Sequence, residues 1–298
     1  MKAFIAAAAM SLMLGAPVQA EEKRGEKMVP LNPTVLSAED VQSVAPALVR
    51  FGSEVLIDDL WQRSELSRRD RSIVTVAILI ARNQPAELKQ YVDVALDNAV
   101  TPVEISEIIT HLAFYSGWPN AMAAVAVTKD IFAARGIRRE QLASASPELL
   151  ALNQAAENQR SSTVEHNFGA ISPGLVKFTA QPLFLDLWQR PGLKPRDRSL
   201  VTVSALIAAG QSAQIGYHLN RAMDNGLTAQ EAGEIVAHAA FYAGWPNAFS
   251  AVAVVGEILR ARGLAGGADA ENARCGAIHF DHDDGRGIRR RQGERGED

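Results

Sequence analysis

The sequence contains a single cysteine, Cys275, so no disulfide can form within the chain. It has no excess of positive charge either: 30 Lys and Arg against 34 Asp and Glu give a formal net charge of −4, and no basic stripe marks a nucleic-acid-binding surface. No apolar run reaches the roughly 20 residues that a membrane-spanning helix needs. These absences exclude a disulfide scaffold, a nucleic-acid partner and stable membrane insertion. Stability must come from packing, for which 47% hydrophobic residues are sufficient.

The first 20 residues have the pattern of a secretory signal peptide. Lys2 supplies the positive end, residues 3–14 form a short apolar run, and Val18-Gln19-Ala20 provides a small-residue cleavage site. We expect the mature chain to begin near Glu21 and to be exported, with the bacterial periplasm as its compartment. An uncleaved N-terminal anchor is the alternative interpretation.

A long internal duplication organises the rest of the chain. The stretch Arg69–Gly136 recurs as Arg196–Gly263 without an insertion or deletion, at an offset of 127 residues (Arg198 against Arg71), and the similarity extends back to Pro46 and Pro173. This period is far longer than that of solenoid repeats, so each copy can have its own core. The predicted division is a signal peptide (1–20), an N-terminal linker (21–43), a first repeat (44–136), a linker (137–170), a second repeat (171–263) and a disordered tail (264–298).

Each repeat has a helical pattern. In residues 69–81 the apolar positions recur at three- and four-residue spacing, which predicts a buried helix. Thr101 with Glu104, and Thr228 with Glu231, match capping boxes at the start of a later helix. The preceding turn, Asp97-Asn98-Ala99 in the first copy, ends a helix where Gly226 of the second copy suits a left-handed conformation. We therefore predict an all-α fold of two tandem helical bundles.

An aromatic segment is also present in both copies. Ala-Phe-Tyr-(Ser/Ala)-Gly-Trp-Pro-Asn-Ala ends a helix that begins at Pro102 in the first copy, because proline disfavours helical geometry in the residue before it. Trp118 and Trp245 lie in this bend. We expect both indoles to pack in the core, where the bend can also border a pocket.

Three motifs in this order resemble the carboxymuconolactone decarboxylase family, within the wider all-α group of AhpD-type alkylhydroperoxidases. They are Arg-Asp-Arg-Ser-(Ile/Leu)-Val-Thr-Val, Asp-Asn-(Ala/Gly)-(Val/Leu)-Thr and the aromatic segment, and they span residues 60–136 and 187–263. The resemblance implies subunits that assemble into trimers or hexamers, with active sites between helices or at subunit interfaces. Three of these two-repeat chains would then form a homotrimer with the shape of a pseudo-hexamer.

The peroxidase branch of this group uses a Cys-x-x-Cys pair, a preceding glutamate and a histidine. The residues at the cysteine positions are Gln84 and Glu87 in the first copy and Gln211 and Gln214 in the second. The glutamate position holds Ser72 or Ser199, and a histidine remains only as His218, with Tyr91 in its place in the first copy. Because a thiol peroxidase needs a thiolate to attack the peroxide, this activity is excluded.

The decarboxylase branch needs no cysteine pair, metal or organic cofactor. Its chemistry requires a cation that binds the substrate carboxylate, a pocket of low polarity and an acid that protonates the remaining carbon. We expect Arg196 and Arg198 to bind the carboxylate and His218 to supply the proton. The other expected site residues, lining the pocket, are Ser199, Tyr242, Trp245 and, from the first copy, Tyr91. The substrate would be a small organic acid or lactone, converted mainly in the second repeat.

A second histidine, present in both copies, leaves several interpretations open. His111 and His238 each follow a glutamate, Glu107 or Glu234, by four residues on the same helix face. The pair is a catalytic dyad, half of a metal site, or a buried histidine hydrogen-bonded to glutamate. Because one histidine and one carboxylate are fewer than the three protein ligands of a catalytic zinc site, we predict no metal. We include His238 among the catalytic candidates and His111 among the binding candidates.

Two other functions are compatible with the same fold. The first is a non-catalytic ligand-binding or scaffold protein that retains the pocket without turnover. The second is an oxidoreductase role like that of the peroxidase relatives, which the missing cysteines make the least favoured.

Overall fold

The computed structural model describes residues 36–264, and this part of the chain contains twelve α-helices and no strand. The predicted all-α fold is confirmed. The predicted signal peptide and most of the tail, with Cys275, lie outside the described residues. The helices are α1 (Ala38–Val44), α2 (Pro46–Phe51), α3 (Arg68–Ala81), α4 (Pro85–Asp97), α5 (Pro102–Tyr115), α6 (Trp118–Ala134), α7 (Gln154–Phe168), α8 (Pro173–Phe178), α9 (Pro195–Ala208), α10 (Ser212–Asp224), α11 (Ala229–Ala243) and α12 (Trp245–Ala261).

Helix α11 and its counterpart α5 begin with the predicted capping boxes. The Thr101 hydroxyl accepts a hydrogen bond from the Glu104 backbone N–H, and the Glu104 carboxylate accepts one from the Thr101 N–H. The preceding turn is left-handed in both repeats, with φ of +66° at Ala99 and +100° at Gly226. Ala99 therefore adopts a conformation that is costly for any residue with a Cβ.

The two repeats share one core, although each copy is long enough to have a core of its own. Helices α3 and α9 pack against each other at the centre, and a single cluster of buried side chains extends across both repeats. From Ile73 to Ile80 every residue of α3 is nearly or fully buried. A helix that is apolar on all sides must be covered on all sides, and the matching helix of the other repeat supplies the missing cover.

Salt bridges also join the repeats at the start of α3 and α9. Arg69 binds Asp197 of the other repeat at 2.8 Å, and Arg196 binds Asp70 at the same distance. Arg196 also contacts Glu231, the capping carboxylate of α11. This symmetrical exchange of partners fixes the relative positions of the two central helices.

The predicted linker between the repeats contains a helix, α7, which packs against α8. Its residues Glu157 and Arg160 are each only 9% exposed and form an ion pair with each other. The Arg160 guanidinium lies 4.1 Å from the centre of the Phe184 ring. This segment therefore contributes side chains to the second repeat.

Candidate active site

Polar side chains from both repeats meet in two places, because α3 packs against α11 and α9 packs against α5. Each cluster combines five residues of one repeat with three of the other, and the two are related by the offset of 127 residues. The first composite site consists of Trp61, Arg63, Arg71, Thr75 and Tyr91 with Glu234, His238 and Tyr242. The second composite site consists of Trp188, Arg190, Arg198, Thr202 and His218 with Glu107, His111 and Tyr115.

Each composite site contains a histidine, His111 or His238, within a closed cycle of hydrogen bonds. In the second composite site, Arg198 Nη1 lies 3.4 Å from His111 Nδ1, and His111 Nε2 lies 2.7 Å from Thr202 Oγ1. Since a guanidinium can only donate, Nδ1 accepts and the imidazole proton resides on Nε2. The Thr202 hydroxyl then accepts from Nε2 and donates to the Arg198 carbonyl at 2.9 Å. His238 forms the same cycle with Arg71 and Thr75.

This cycle keeps both histidines neutral. His111 and His238 are fully buried, and burial together with the neighbouring arginine lowers their pKa values well below the usual range. Neither ring has a nitrogen left for a substrate, because both nitrogens are hydrogen-bonded to the protein. The geometry therefore does not support the predictions of His238 as a catalytic group and His111 as a binding group. His238 instead connects α11 to α3, and His111 connects α5 to α9.

The glutamate of each site binds arginines rather than the histidine on its own helix. Glu107 is 1% exposed and accepts hydrogen bonds from Arg190 at 2.8 Å and from Arg198 at 2.9 Å. The hypothesis of a histidine hydrogen-bonded to glutamate is thus wrong, since Arg198 lies between Glu107 and His111. Arg198 was expected to bind a substrate carboxylate, but it is fully buried and bound to Glu107.

The two composite sites differ where the first repeat has Tyr91. The Tyr91 hydroxyl lies 3.0 Å from that of Tyr242, which also accepts a hydrogen bond from the indole N–H of Trp61 at 2.9 Å. Burial raises the pKa of Tyr91 and, more strongly, that of Tyr242. In the first composite site the two tyrosine hydroxyls and the indole thus hydrogen-bond to one another, and neither hydroxyl is available to exchange a proton near neutral pH.

His218 occupies the equivalent place in the second composite site without such a partner. The residue is 7% exposed, and its imidazole stacks on Trp188 with ring centres 5.8 Å apart and meets Tyr115 edge-on at 5.3 Å. The Nδ1 atom is buried and, among the described residues, has no hydrogen-bond partner. Burial and the charge of Arg221 lower the pKa of His218 to about 4, so the free site holds a neutral imidazole.

Sequence reasoning missed three residues beside His218. They surround one end of the stacked rings, and the equivalent residues of the first repeat have different chemistry. The three are Arg221, Tyr217 and Phe184, in place of Val94, Gln90 and Ile57. A position-by-position comparison of the copies would have found them, because these three positions differ between the repeats while most residues around them in the site are identical.

Several predicted site residues lie elsewhere. Arg196 forms the salt bridges between the repeats, with Asp70, Asp197 and Glu231 as partners. Ser199 is fully buried, and its hydroxyl donates to the Pro195 carbonyl at 2.9 Å.

The aromatic bend also differs from expectation. Trp118 is 60% exposed and Trp245 is 51% exposed, so the prediction that they pack in the core is wrong. Trp245 packs edge-on against Phe241, on the same outer surface. Gly244 has φ of +92° and turns the chain at the start of α12, where the exposed Trp245 follows it.

No group of three or more His, Cys, Asp or Glu side chains within residues 36–264 is arranged to hold a metal ion. No helix among these residues is both long and apolar enough to cross a membrane.

The fold and the paired sites define an all-α protein built from two fused repeats that complete each other's sites. A model of the carboxymuconolactone decarboxylase family matches the chain twice, at residues 46–130 and 173–257, so the chain belongs to this family.

Two similar proteins each match a length of about one repeat. One is the 4-carboxymuconolactone decarboxylase of Acinetobacter baylyi, 36% identical over 106 residues, which are 36% of this chain and 79% of that protein. The other is the nitrosuccinic acid decarboxylase of Metarhizium robertsii, 41% identical over 102 residues, or 32% and 71% of the two chains.

Proposed function

We propose that this protein is a cofactor-independent decarboxylase of a small carboxylated lactone or keto acid, with its active site in the second composite site. Family membership and the decarboxylase names of the two relatives support the reaction type. The observation that carries the assignment is His218, a buried imidazole whose Nδ1 atom has no partner among the described residues. Its counterpart Tyr91 is hydrogen-bonded within the protein.

The chemistry follows from this environment. The bond between the carboxylate and the substrate carbon breaks, carbon dioxide leaves, and the electron pair delocalises into the adjacent carbonyl or unsaturated lactone. His218 then transfers a proton to that carbon and regains one from solvent, so each turnover consumes one proton. A bound carboxylate favours the imidazolium, and its arrival therefore raises the pKa of His218 from its low value in the free site.

The apolar walls contribute to the same step. Trp188 and Phe184 stack with ring centres 5.9 Å apart, and Trp188 covers one face of His218. A substrate held against these rings loses hydrating water, which disfavours the localised carboxylate charge relative to the delocalised charge of the transition state. The first composite site lacks this combination, and we therefore assign it a structural role.

A turnover assay with matched variants tests the assignment. The mature protein is offered a panel of carboxylated lactones and β-keto acids, and carbon dioxide release is measured for wild type, His218→Ala and Tyr91→Phe. We expect His218→Ala to lose most of the activity, since proton transfer by a positioned side chain typically contributes about 100- to 10,000-fold. Tyr91→Phe should retain it. Turnover that survives His218→Ala would refute the assigned site, and tight ligand binding without any turnover would favour a binding protein.

We also propose that the chain assembles into a homotrimer. Four exposed apolar positions recur in both repeats on the outer surface of α5–α6 and α11–α12. They are Phe114, Trp118, Met122 and Val125, and at the same offset Phe241, Trp245, Phe249 and Val252. Apolar clusters of this kind are typical of protein interfaces. Light scattering should give three times the chain mass, and Trp118→Glu with Trp245→Glu should reduce it. A monomeric wild type would refute the trimer.

Export is a further part of the proposal, and it depends on the signal-like pattern of residues 1–20. Expression with this segment should give a periplasmic protein whose mass corresponds to a start near Glu21. An unprocessed chain in the cytosol would contradict it.

A further inference from the structure

Arg221 lies beside the second composite site, and no carboxylate among residues 36–264 pairs with it. Its guanidinium lies 4.2 Å from the centre of a Trp188 ring and 5.7 Å from that of Phe184. The Nε atom is buried and has no hydrogen-bond partner among the described residues. An arginine that stacks on an aromatic face keeps its N–H donors in the plane of the guanidinium, where a carboxylate binds.

The other arginines near this site are already paired. Glu157 binds Arg160 at 2.8 Å, and Glu107 binds both Arg190 and Arg198. Arg221 forms no such pair within residues 36–264, so it places an unpaired positive charge beside His218. A buried donor without a partner is unfavourable in the free protein and becomes satisfied when an anion binds.

The first repeat offers an internal comparison. The residue equivalent to Arg221 is Val94, which packs against the hydrophobic core and carries no charge. The paired arginines and the glutamate are present in both composite sites, whereas the unpaired cation is present only in the second. The unpaired positive charge of Arg221 therefore distinguishes the second composite site from the first. The difference between His218 and Tyr91 distinguishes the same two sites and is a separate observation.

The open edge of the site is formed by Tyr217. This ring is 47% exposed and meets both His218 and Phe184 edge-on, at 5.0 and 6.4 Å between ring centres. The guanidinium of Arg221 and the imidazole of His218 both lie against Trp188, next to this edge.

We propose that Arg221 binds a carboxylate of the substrate, a small organic acid whose planar, carbonyl-bearing body lies in the second composite site. This assignment rests on the proposed function for the identity of the substrate, and it replaces Arg196 and Arg198 as the carboxylate-binding residues. One unpaired guanidinium matches one carboxylate. The stacked rings of Trp188 and Phe184 provide a flat apolar wall for the remainder of the molecule.

Binding of an unreactive monocarboxylate tests the proposal without turnover. Levulinate, a γ-keto acid that does not readily lose carbon dioxide, is titrated into the full mature protein while the ring signals of His218 are followed by NMR. Methyl levulinate is the uncharged control ligand. Arg221→Val introduces the residue found in the first repeat, and Arg260→Val on the exposed side of α12 removes an equal charge elsewhere.

We expect levulinate to shift the His218 signals in wild type and Arg260→Val. Loss of a hydrogen bond to a charged group should weaken binding about 10- to 100-fold in Arg221→Val. The neutral ester should bind weakly and equally to all three proteins. Arg221→Lys should recover part of the affinity, because it restores the charge without the planar pair of donors.

The outcomes separate this proposal from the proposed function. Equal levulinate affinity in wild type and Arg221→Val, or no response of His218 in wild type, overturns the role of Arg221 even if decarboxylation is found. Selective loss of binding in Arg221→Val, with no turnover on any substrate, supports the carboxylate site and refutes the decarboxylase. An equal loss for the ester and the acid would show damage to the pocket and also overturns the proposal.

Discussion

Glu107 is the residue whose removal should destabilise this protein most clearly. It is the carboxylate shared by Arg190 and Arg198, and it is contributed by the first repeat to a site of the second. Glu107→Gln preserves the shape of the side chain and removes its charge. The fully buried Arg198 then lacks a counterion, and the new amide N–H group faces donors instead of acceptors.

The magnitude follows from the burial of these groups. Breaking a buried ion pair by removal of one partner costs about 3–5 kcal/mol. The equivalent change, Glu234→Gln, should cost less, because one of its two partners, Arg63, has a side chain that is 41% exposed and can be hydrated. We expect about half the cost of the first change, since only Arg71 is left buried without a counterion.

Urea denaturation followed by circular dichroism measures both costs. Because one core extends across the two repeats, we expect a single cooperative transition for wild type. A cost below about 1 kcal/mol for Glu107→Gln would refute the view that this carboxylate stabilises two buried arginines. Equal costs for the two variants would refute the role of the difference in burial.

Three further predictions concern stability. Ala99→Gly should raise the free energy of unfolding by about 1 kcal/mol, because φ at this position is +66°. Gly226→Ala should lower the free energy of unfolding by a similar amount. Urea midpoints that do not move would contradict both predictions. The histidines of the composite sites have lowered pKa values in the folded protein, so the unfolded chain binds more protons below pH ~6.5. The free energy of unfolding should therefore be complete above that pH and should fall by about 1.4 kcal/mol per pH unit for each histidine as the pH drops. A free energy of unfolding that stays constant from pH 7 to 5 would exclude this. Tyr91→Phe removes one buried hydrogen bond and should cost about 1 kcal/mol in the same denaturation assay, and no loss would indicate that this bond does not stabilise the fold.

Arg196 and Arg221 differ in a property that the sequence did not predict, the number of carboxylates around each guanidinium. Arg196 belongs to a motif present in both copies, which made it a candidate for substrate binding, yet its three carboxylate partners are fixed in the structure. Arg221 occurs in one copy only and lies outside the motifs that the two copies share. The number of partners around each guanidinium depends on contacts between residues far apart in the chain, and no local pattern reports it.

By itself, the sequence determined the local structure and the duplication. Caps, turns and helical periodicity depend on residues within about four positions of one another, and the capping boxes at Thr101 and Thr228 formed as predicted. Only the tertiary structure decided which repeat completes which site. Thr202 meets His111 across 91 residues, and Trp61 meets Tyr242 across 181. Packing of α9 on α5 and of α3 on α11 creates these contacts, because each central helix needs the other repeat to cover its apolar surface.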